Sequence, residues 1–164
     1  MGLEDLNTGI KLIKNEFEDD EVFLHGPISE DLVRQAEDTL NCKFPLSYKS
    51  FLSQYGYGGV DSFDVDGVTS HIVPGDEIQG GVVWNVLQRR KKFGLCDHII
   101  PLSEIGDGSY YALDLSQMNA ENECPVVIWP LNGYEDTPVL EVVAKDFGEF
   151  FLNMVKEEIE MKFS

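Results

Sequence analysis

The oxygen-bearing side chains that alternate between residues 62 and 67 are the clearest candidates for metal binding in this chain. Ser62, Asp64 and Asp66, followed by Gly67, reproduce the first half of an EF-hand loop, which places oxygen ligands at alternate positions and a glycine sixth. Such a loop also needs a bidentate glutamate at its twelfth position, and that position is Val73. The calcium site is therefore incomplete, and we interpret the segment as an exposed acidic strand or loop.

The cysteines and histidines form no recognisable catalytic or metal-binding motif. Cys42, Cys96 and Cys124 are odd in number and widely spaced, which is typical of free thiols in a reducing compartment. Cys96 and His98 lack a second ligand pair at the spacing of structural zinc sites, and no nucleophile elbow surrounds any cysteine. We therefore predict no catalytic residue, metal or cofactor. An enzyme with an unrecognised site stays open as an alternative.

The charge of the chain favours a basic protein partner. Thirty acidic residues against twelve Lys and Arg give a net charge of −18. A field of this sign repels phosphate backbones and anionic lipids, and it speeds the capture of a basic partner. Solubility alone would also explain the acids. The one dense basic run, residues 89–92, would suit RNA, but it is better explained as favourable charge at a helix C-terminus.

Length and hydropathy indicate one cytoplasmic globular domain spanning residues 1–164. The hydrophobic fraction of 43% is sufficient for a single core. The longest apolar run, residues 125–131, is too short to span a bilayer, and residues 1–17 lack the continuous apolar stretch of a signal peptide. We expect no contact with a membrane.

The periodicity of apolar residues predicts five helices. The first covers residues 3–17, and the fourth covers residues 78–93. The second begins at the N-cap Ser29 and ends at Asn41, and the third has Pro45 in its first turn and ends at Gly56. A closing helix begins at Asp146, which forms a capping box with Glu149.

Runs rich in β-branched and aromatic residues predict strands between these helices. They cover residues 60–73, 99–102, 110–115 and 126–129, and antiparallel pairing of the last two is the simplest topology. The predicted fold class is α+β, with a mainly antiparallel sheet packed against N-terminal, middle and C-terminal helices.

Several strings, taken in order, resemble the SUKH superfamily, whose members include the Smi–Knr type domains. The strings are Phe44-Pro45-x-x-Tyr48-x-x-Phe51-Leu52 followed by a glycine cluster, Gly106-Asp107-Gly108-Ser109-Tyr110-Tyr111, and Cys124-Pro125-Val126-Val127-Ile128-Trp129. The resemblance is strongest over residues 28–155. Most of these residues have structural roles, so the strings identify a fold rather than an activity.

The resemblance implies an immunity protein, because bacterial members of this superfamily commonly neutralise toxins delivered between cells. The similarity is greatest to Bacillus-type members paired with LXG toxins, many of which carry nuclease domains. It supplies no catalytic residue. The alternative that it also implies is a regulatory protein-interaction module of the Smi–Knr type.

For the surface that contacts the toxin we select acids on predicted loops and edges: Asp61, Asp64, Asp66, Asp76, Glu77, Glu135 and Asp136. Carboxylates at such positions would occupy the phosphate sites of a basic nuclease, so that the protein itself contacts no nucleic acid. A helical face or an unpaired strand edge would also suit a homodimer, although no heptad pattern supports one.

Overall fold

The computed structural model describes residues 2–68, 81–130 and 140–164. These ranges contain five α-helices and seven β-strands: α1 Gly2–Glu16, β1 Val22–Leu24, α2 Glu30–Leu40, α3 Leu46–Tyr55, β2 Gly58–Val60, β3 Phe63–Val65, α4 Val82–Phe93, β4 Ile99–Glu104, β5 Tyr110–Asp114, β6 Val126–Trp129, β7 Glu141–Ala144 and α5 Phe147–Phe163. Two 3₁₀ turns, Asp19–Glu21 and Leu115–Gln117, precede β1 and follow β5. The α+β class is confirmed.

The predicted helix ends at Ser29, Asn41 and Gly56 are confirmed, whereas Pro45, predicted in the first turn of the third helix, is the extended N-cap that precedes α3. The Ser29 hydroxyl accepts a hydrogen bond from the Leu32 amide at 3.2 Å, which satisfies one free donor of the first turn of α2. Asn41 ends α2 in the left-handed conformation, with φ of 54°. Gly56 ends α3 with φ of 71°, a conformation that glycine adopts without strain.

Replacing the capping hydroxyl should therefore weaken the second helix. We expect Ser29→Ala to lower the free energy of unfolding by about 1 kcal/mol, because the Leu32 amide loses its acceptor. Urea unfolding followed by circular dichroism measures the change. Gln35→Ala, on an exposed position of the same helix, is the control and should leave the midpoint nearly unchanged.

The capping box predicted for the closing helix is only half correct. Asp146 accepts a hydrogen bond from the Glu149 amide at 2.8 Å, as an N-cap should. The Glu149 carboxylate, however, accepts from the Lys145 amide at 2.7 Å instead of from the Asp146 amide. The reciprocal bond therefore reaches one residue further back along the chain and ties the end of β7 to the helix.

The strands form two antiparallel sheets instead of the single sheet that the sequence suggests. One has the order β1-β2-β3, and the other has the order β4-β5-β6-β7. The predicted antiparallel pairing of β5 with β6 is confirmed, with Tyr110 opposite Trp129. Of the predicted strand 60–73, residues 63–65 form β3, while residue 60 belongs to β2 and residues 69–73 lie outside the described part. The sequence did not predict β1 and β7.

Helix α5 packs against α1 and α3 and also contacts β3 and β7. It packs along α1, and the space between the two helices is so small that a Cβ at Gly148 would overlap the Gly2 carbonyl oxygen. The largest fully buried side chains include Tyr48 and Phe51 of α3 and Phe147 and Phe151 of α5. Their rings meet at centroid separations between 5.1 and 6.0 Å. Phe63 of β3 packs on Phe151 at 5.9 Å and Tyr111 of β5 packs on Phe150 at 5.0 Å, so both sheets contact α5.

Hydrogen bonds connect the two sheets at their facing edges. The Asp66 amide donates to the Leu102 carbonyl at 2.7 Å, and the Ser103 hydroxyl donates to the Asp64 carbonyl at 2.8 Å. Strand β3 therefore lies beside β4, so the acids of β3 and the polar end of β4 come together on the surface.

Candidate functional site

The hairpin formed by β2 and β3 presents acidic side chains to solvent. Phe63 and Val65 point into the core, so the alternation of a strand turns Asp64 outward. Asp61 lies in the turn with φ of 48°, and its amide donates to the Glu21 carbonyl at 3.0 Å. Two of the predicted contact residues, Asp61 and Asp64, are therefore exposed on one hairpin.

Asp66 is only partly exposed and is held by neighbouring elements. Its carboxylate accepts a hydrogen bond from the Asn85 amide group of α4 at 2.9 Å. The pKa of this carboxyl group is raised to about 6, mainly by burial and also by the nearby Asp64 and Glu104 carboxylates, against the opposing effects of Asn85 and Arg89. The pKa of Asp64 is also raised, first by burial of its carboxyl group and then by Glu104. Negative charge is therefore concentrated where β3 meets β4.

Glu104 completes this group, although the sequence analysis did not select it. It is the last residue of β4, is exposed, and is opposite Tyr110 of β5. We call Asp61, Asp64, Asp66 and Glu104 the hairpin acidic surface. A glutamate that ends the apolar run of β4 was visible in the sequence, but its nearness to Asp64 depends on how the two sheets join.

Arg89 introduces one positive charge at the border of the hairpin acidic surface. Its guanidinium lies 4.0 Å from the centroid of the Tyr110 ring and donates a hydrogen bond to the Tyr110 hydroxyl. The neighbouring Arg90 donates to the Leu40 carbonyl at 3.0 Å and to the Asp97 carbonyl at 2.9 Å. Both arginines of the basic run thus have structural partners, which supports the interpretation of this run as a helix C-terminus.

Lys162 of α5 lies beside the turn of the hairpin. Its ammonium group is 2.6 Å from the Glu21 carboxylate and donates to the Glu16 carbonyl at 3.0 Å. The bond to Glu21, together with the charges of Glu18 and Asp61, raises the pKa of Lys162. Lys162 therefore already supplies a counter-charge at the end of the acidic region nearest to Asp61.

The other predicted contact residues, Asp76, Glu77, Glu135 and Asp136, lie outside the described residues.

Two further carboxylates are buried and have structural partners. Glu37 accepts the Phe44 amide at 2.8 Å and lies 3.7 Å from the Lys49 ammonium group. Glu123 accepts the Ser47 hydroxyl at 3.0 Å, and that hydroxyl accepts the Gly148 amide. These bonds fasten the beginnings of α3 and α5, so the two glutamates serve the fold.

The described residues offer no obvious centre for catalysis or metal binding. Burial raises the pKa of Cys42 to about 11 and that of Cys124 to about 12, so both thiols are protonated at neutral pH. His25 stacks on Tyr57 with a centroid separation of 4.7 Å, and His71 is not among the described residues. Over residues 2–68, 81–130 and 140–164, no three His, Cys, Asp or Glu side chains group to hold a metal ion.

Open grooves lie on the surface of the described residues. One, of about 440 Å³, lies between α2 and α3 and includes Arg34, Leu46 and Lys49. Another, of about 640 Å³, lies on the four-stranded sheet and includes His98, Trp129 and Val142. Neither groove contains the hairpin acidic surface. None of the helices in the described ranges is long and apolar enough to cross a membrane.

The described residues form an α+β fold of antiparallel sheets and helices that carries the hairpin acidic surface. The family model SUKH_5, described as SMI1-KNR4 cell-wall, matches residues 6–156. The chain therefore belongs to the SUKH_5 family, and so to the SUKH superfamily that its sequence resembles.

A solved structure supports the same fold. The crystal structure of a protein from Pseudomonas syringae pv. tomato superposes with a TM-score of 0.52 at 19% sequence identity, covering 80% of this chain and 88% of that chain. At this identity the likeness concerns the fold alone. Membership of the family is consistent with a protein partner in general, and the nature of that partner must be argued from the surface.

Proposed function

We propose that this chain is an immunity protein, which binds a cognate secreted bacterial toxin, neutralises it, and catalyses no reaction. The observation that carries the proposal is the convergence of Asp61, Asp64, Asp66 and Glu104 on one surface of a chain with a net charge of −18. Membership of a superfamily that includes immunity proteins supports it. The toxin domain is most simply a basic nuclease.

The arrangement of the acids gives a physical reason for binding a cation-rich surface. Asp66 is largely desolvated and lies near Asp64 and Glu104, so its charge is costly in the free protein, as the raised pKa records. An arginine or lysine of a partner would relieve this repulsion. Carboxylates placed on phosphate-binding cations would then block a nuclease active site without imitating any base.

Steering by charge predicts the kinetics of capture. The field of an acidic protein accelerates encounter with a basic one, and salt screens that field within a Debye length of about 10 Å at 0.1 M. We therefore expect fast association at low salt and slower association at high salt, with dissociation much less affected.

Co-expression tests the proposal directly. The toxin C-terminal domain encoded nearest to this gene should arrest growth when it is expressed alone, and this protein should restore growth and co-purify with the toxin in a salt-sensitive complex. The same toxin with an inactivated catalytic centre should still bind, because binding and not chemistry is proposed. The proposal fails if neighbouring toxins are neither bound nor neutralised.

A second candidate function is a regulatory protein-interaction module. The description of the matching family as SMI1-KNR4 cell-wall favours it. The two functions differ in the partner: a regulatory module would bind a cellular protein in cells without the toxin gene, whereas an immunity protein needs its toxin. The enzyme alternative gains no support from the described residues, in which the grooves do not gather the carboxylates with raised pKa.

A further inference from the structure

Strand β7 forms the edge of the four-stranded sheet that lies opposite the hairpin acidic surface. The strand order is β4-β5-β6-β7, so β4 lies beside the hairpin and β7 is at the far side. Among the described residues, β7 pairs with β6 alone. An edge strand leaves alternate backbone N–H and C=O groups directed away from the sheet, which is the arrangement that an added strand recognises.

One face of this edge is apolar. Val142 is opposite Val127 and is 59% exposed, an unusual exposure for a valine in a strand. It borders the groove of about 640 Å³, whose other apolar members include Trp129 and Leu140. A side chain placed beside Val142 by an added strand would cover its exposed methyl groups and enter this groove.

The other face of the same edge is acidic. Glu141 is opposite Ile128, and Ile128 is opposite Tyr111, so these three side chains share a face. Tyr111 packs on Phe150 at a centroid separation of 5.0 Å. Burial raises the pKa of Tyr111, and the charges of Glu157 from α5 and Glu141 raise it further. Two carboxylates therefore flank the tyrosine on this face.

We propose that the β7 edge is a docking site for an extended segment of a partner protein in which apolar residues alternate with lysine or arginine. Successive side chains of a strand point to opposite faces, so the apolar residues would lie beside Val142 and a basic residue beside Glu141. The proposal does not depend on the partner's being a toxin. It concerns a different surface from the hairpin.

Charge decides which occupant fits this edge. A second copy of this chain would bring another −18 charge against Glu141. A purely apolar strand would leave the Glu141 carboxylate facing a desolvated surface, which is costly. A strand that carries basic residues on this face supplies the counter-charge, so it satisfies both faces of the edge.

A peptide titration tests the proposal without knowledge of the natural partner. A short synthetic peptide of alternating valine and lysine is added to the isotopically labelled protein, and amide chemical shifts and hydrogen exchange are followed. We expect shifts and slowed exchange concentrated at residues 141–144. Peptides of alternating serine and lysine, and of alternating valine and glutamate, should bind more weakly, because each matches one face only.

Single substitutions then identify the edge. Val142→Lys and Glu141→Lys should each weaken binding of the valine–lysine peptide by roughly two- to fivefold, in line with single cross-strand and exposed charge pairs. Both side chains are exposed, so folding should be preserved. The matched control is Phe23→Lys, since Phe23 is 48% exposed on β1, the edge of the other sheet. It should leave the affinity unchanged.

Several outcomes would overturn the proposal: no binding of the valine–lysine peptide, equal binding of all three peptides, or shifts that follow β1 and Phe23→Lys instead of β7. None of these results would affect the rescue of growth by co-expression, which rests on the hairpin acidic surface. The two proposals therefore fail separately.

Discussion

Reversing three charges of the hairpin acidic surface should weaken capture of a basic toxin domain by roughly three orders of magnitude. The variant Asp61→Lys, Asp64→Lys, Glu104→Lys replaces three attractions by three repulsions, and close charge pairs across an interface commonly couple by about 1.5 kcal/mol or more. These side chains are exposed, so the fold should survive. We leave Asp66 unchanged because its carboxylate holds Asn85.

The matched control separates a local contact from the overall charge. Glu30→Lys, Asp38→Lys, Glu121→Lys makes the same change in net charge at exposed positions on α2 and before β6. Surface plasmon resonance at several salt concentrations should show slow association and a flattened salt dependence for the hairpin variant, and a smaller change for the control. Equal losses in the two variants would mean that the net charge steers the partner and that the hairpin is not the contact.

The elements that the sequence predicted well are those with local signals. Ser29, Asn41 and Gly56 mark helix ends through their own backbone preferences, and the structure places all three where those preferences require. The pairing of β5 with β6 was predicted from two runs rich in β-branched and aromatic residues that follow one another along the chain. In each case the information lies within a few residues of the element that it defines.

The elements that were missed depend on distant parts of the chain. Strand β1 has three residues, and it becomes a strand because β2, beyond two helices, pairs with it. Strand β7 begins with an exposed glutamate and an exposed valine and so lacks the alternation of a half-buried strand. Such short edges carry too little local signal to be recognised without their partners.

In the candidate site, too, the sequence predicted what depends on neighbouring residues and missed what depends on distant ones. Alternation along the chain correctly indicated that Asp64 faces solvent, because its neighbours Phe63 and Val65 are apolar. It could not show that Asn85 of α4 donates a hydrogen bond to the Asp66 carboxylate, because Asn85 is nineteen residues further along the chain. Nor could it associate Glu104 with the hairpin, because that proximity is created by the bonds between β3 and β4.

Asp66→Asn should stabilise the protein at alkaline pH and have little effect in acid. Burial, aided by Asp64 and Glu104, raises the pKa of this carboxyl group from 3.8 to about 6 in the folded chain. The folded state therefore binds the proton more readily than the unfolded state, and the stability contributed by this group falls as the pH rises between these two values. Arg89 and the Asn85 amide oppose the effect only in part.

The size of the expected stability change follows from the pKa shift of Asp66. A difference of about two pKa units corresponds to about 3 kcal/mol at most, and relaxation around the site would reduce it to about 1 to 3 kcal/mol. An asparagine oxygen still accepts the Asn85 amide, and the Tyr48 hydroxyl still reaches the carbonyl of residue 66, so the packing is retained while the charge is removed.

Urea unfolding at pH 4 and at pH 8 measures the free energy of unfolding where Asp66 of the folded protein is protonated and where it is ionised. The variant should be more stable than the original protein at pH 8, and the two should nearly coincide at pH 4, because Asp66 is then protonated in the folded state of the original. Asp38→Asn, at an exposed position of α2, removes the same charge and should change stability much less at either pH. A loss of stability at pH 8 would mean that the Asp66 charge stabilises the fold. The carboxylate would then not carry the unfavourable desolvation and repulsion that a basic partner is expected to relieve.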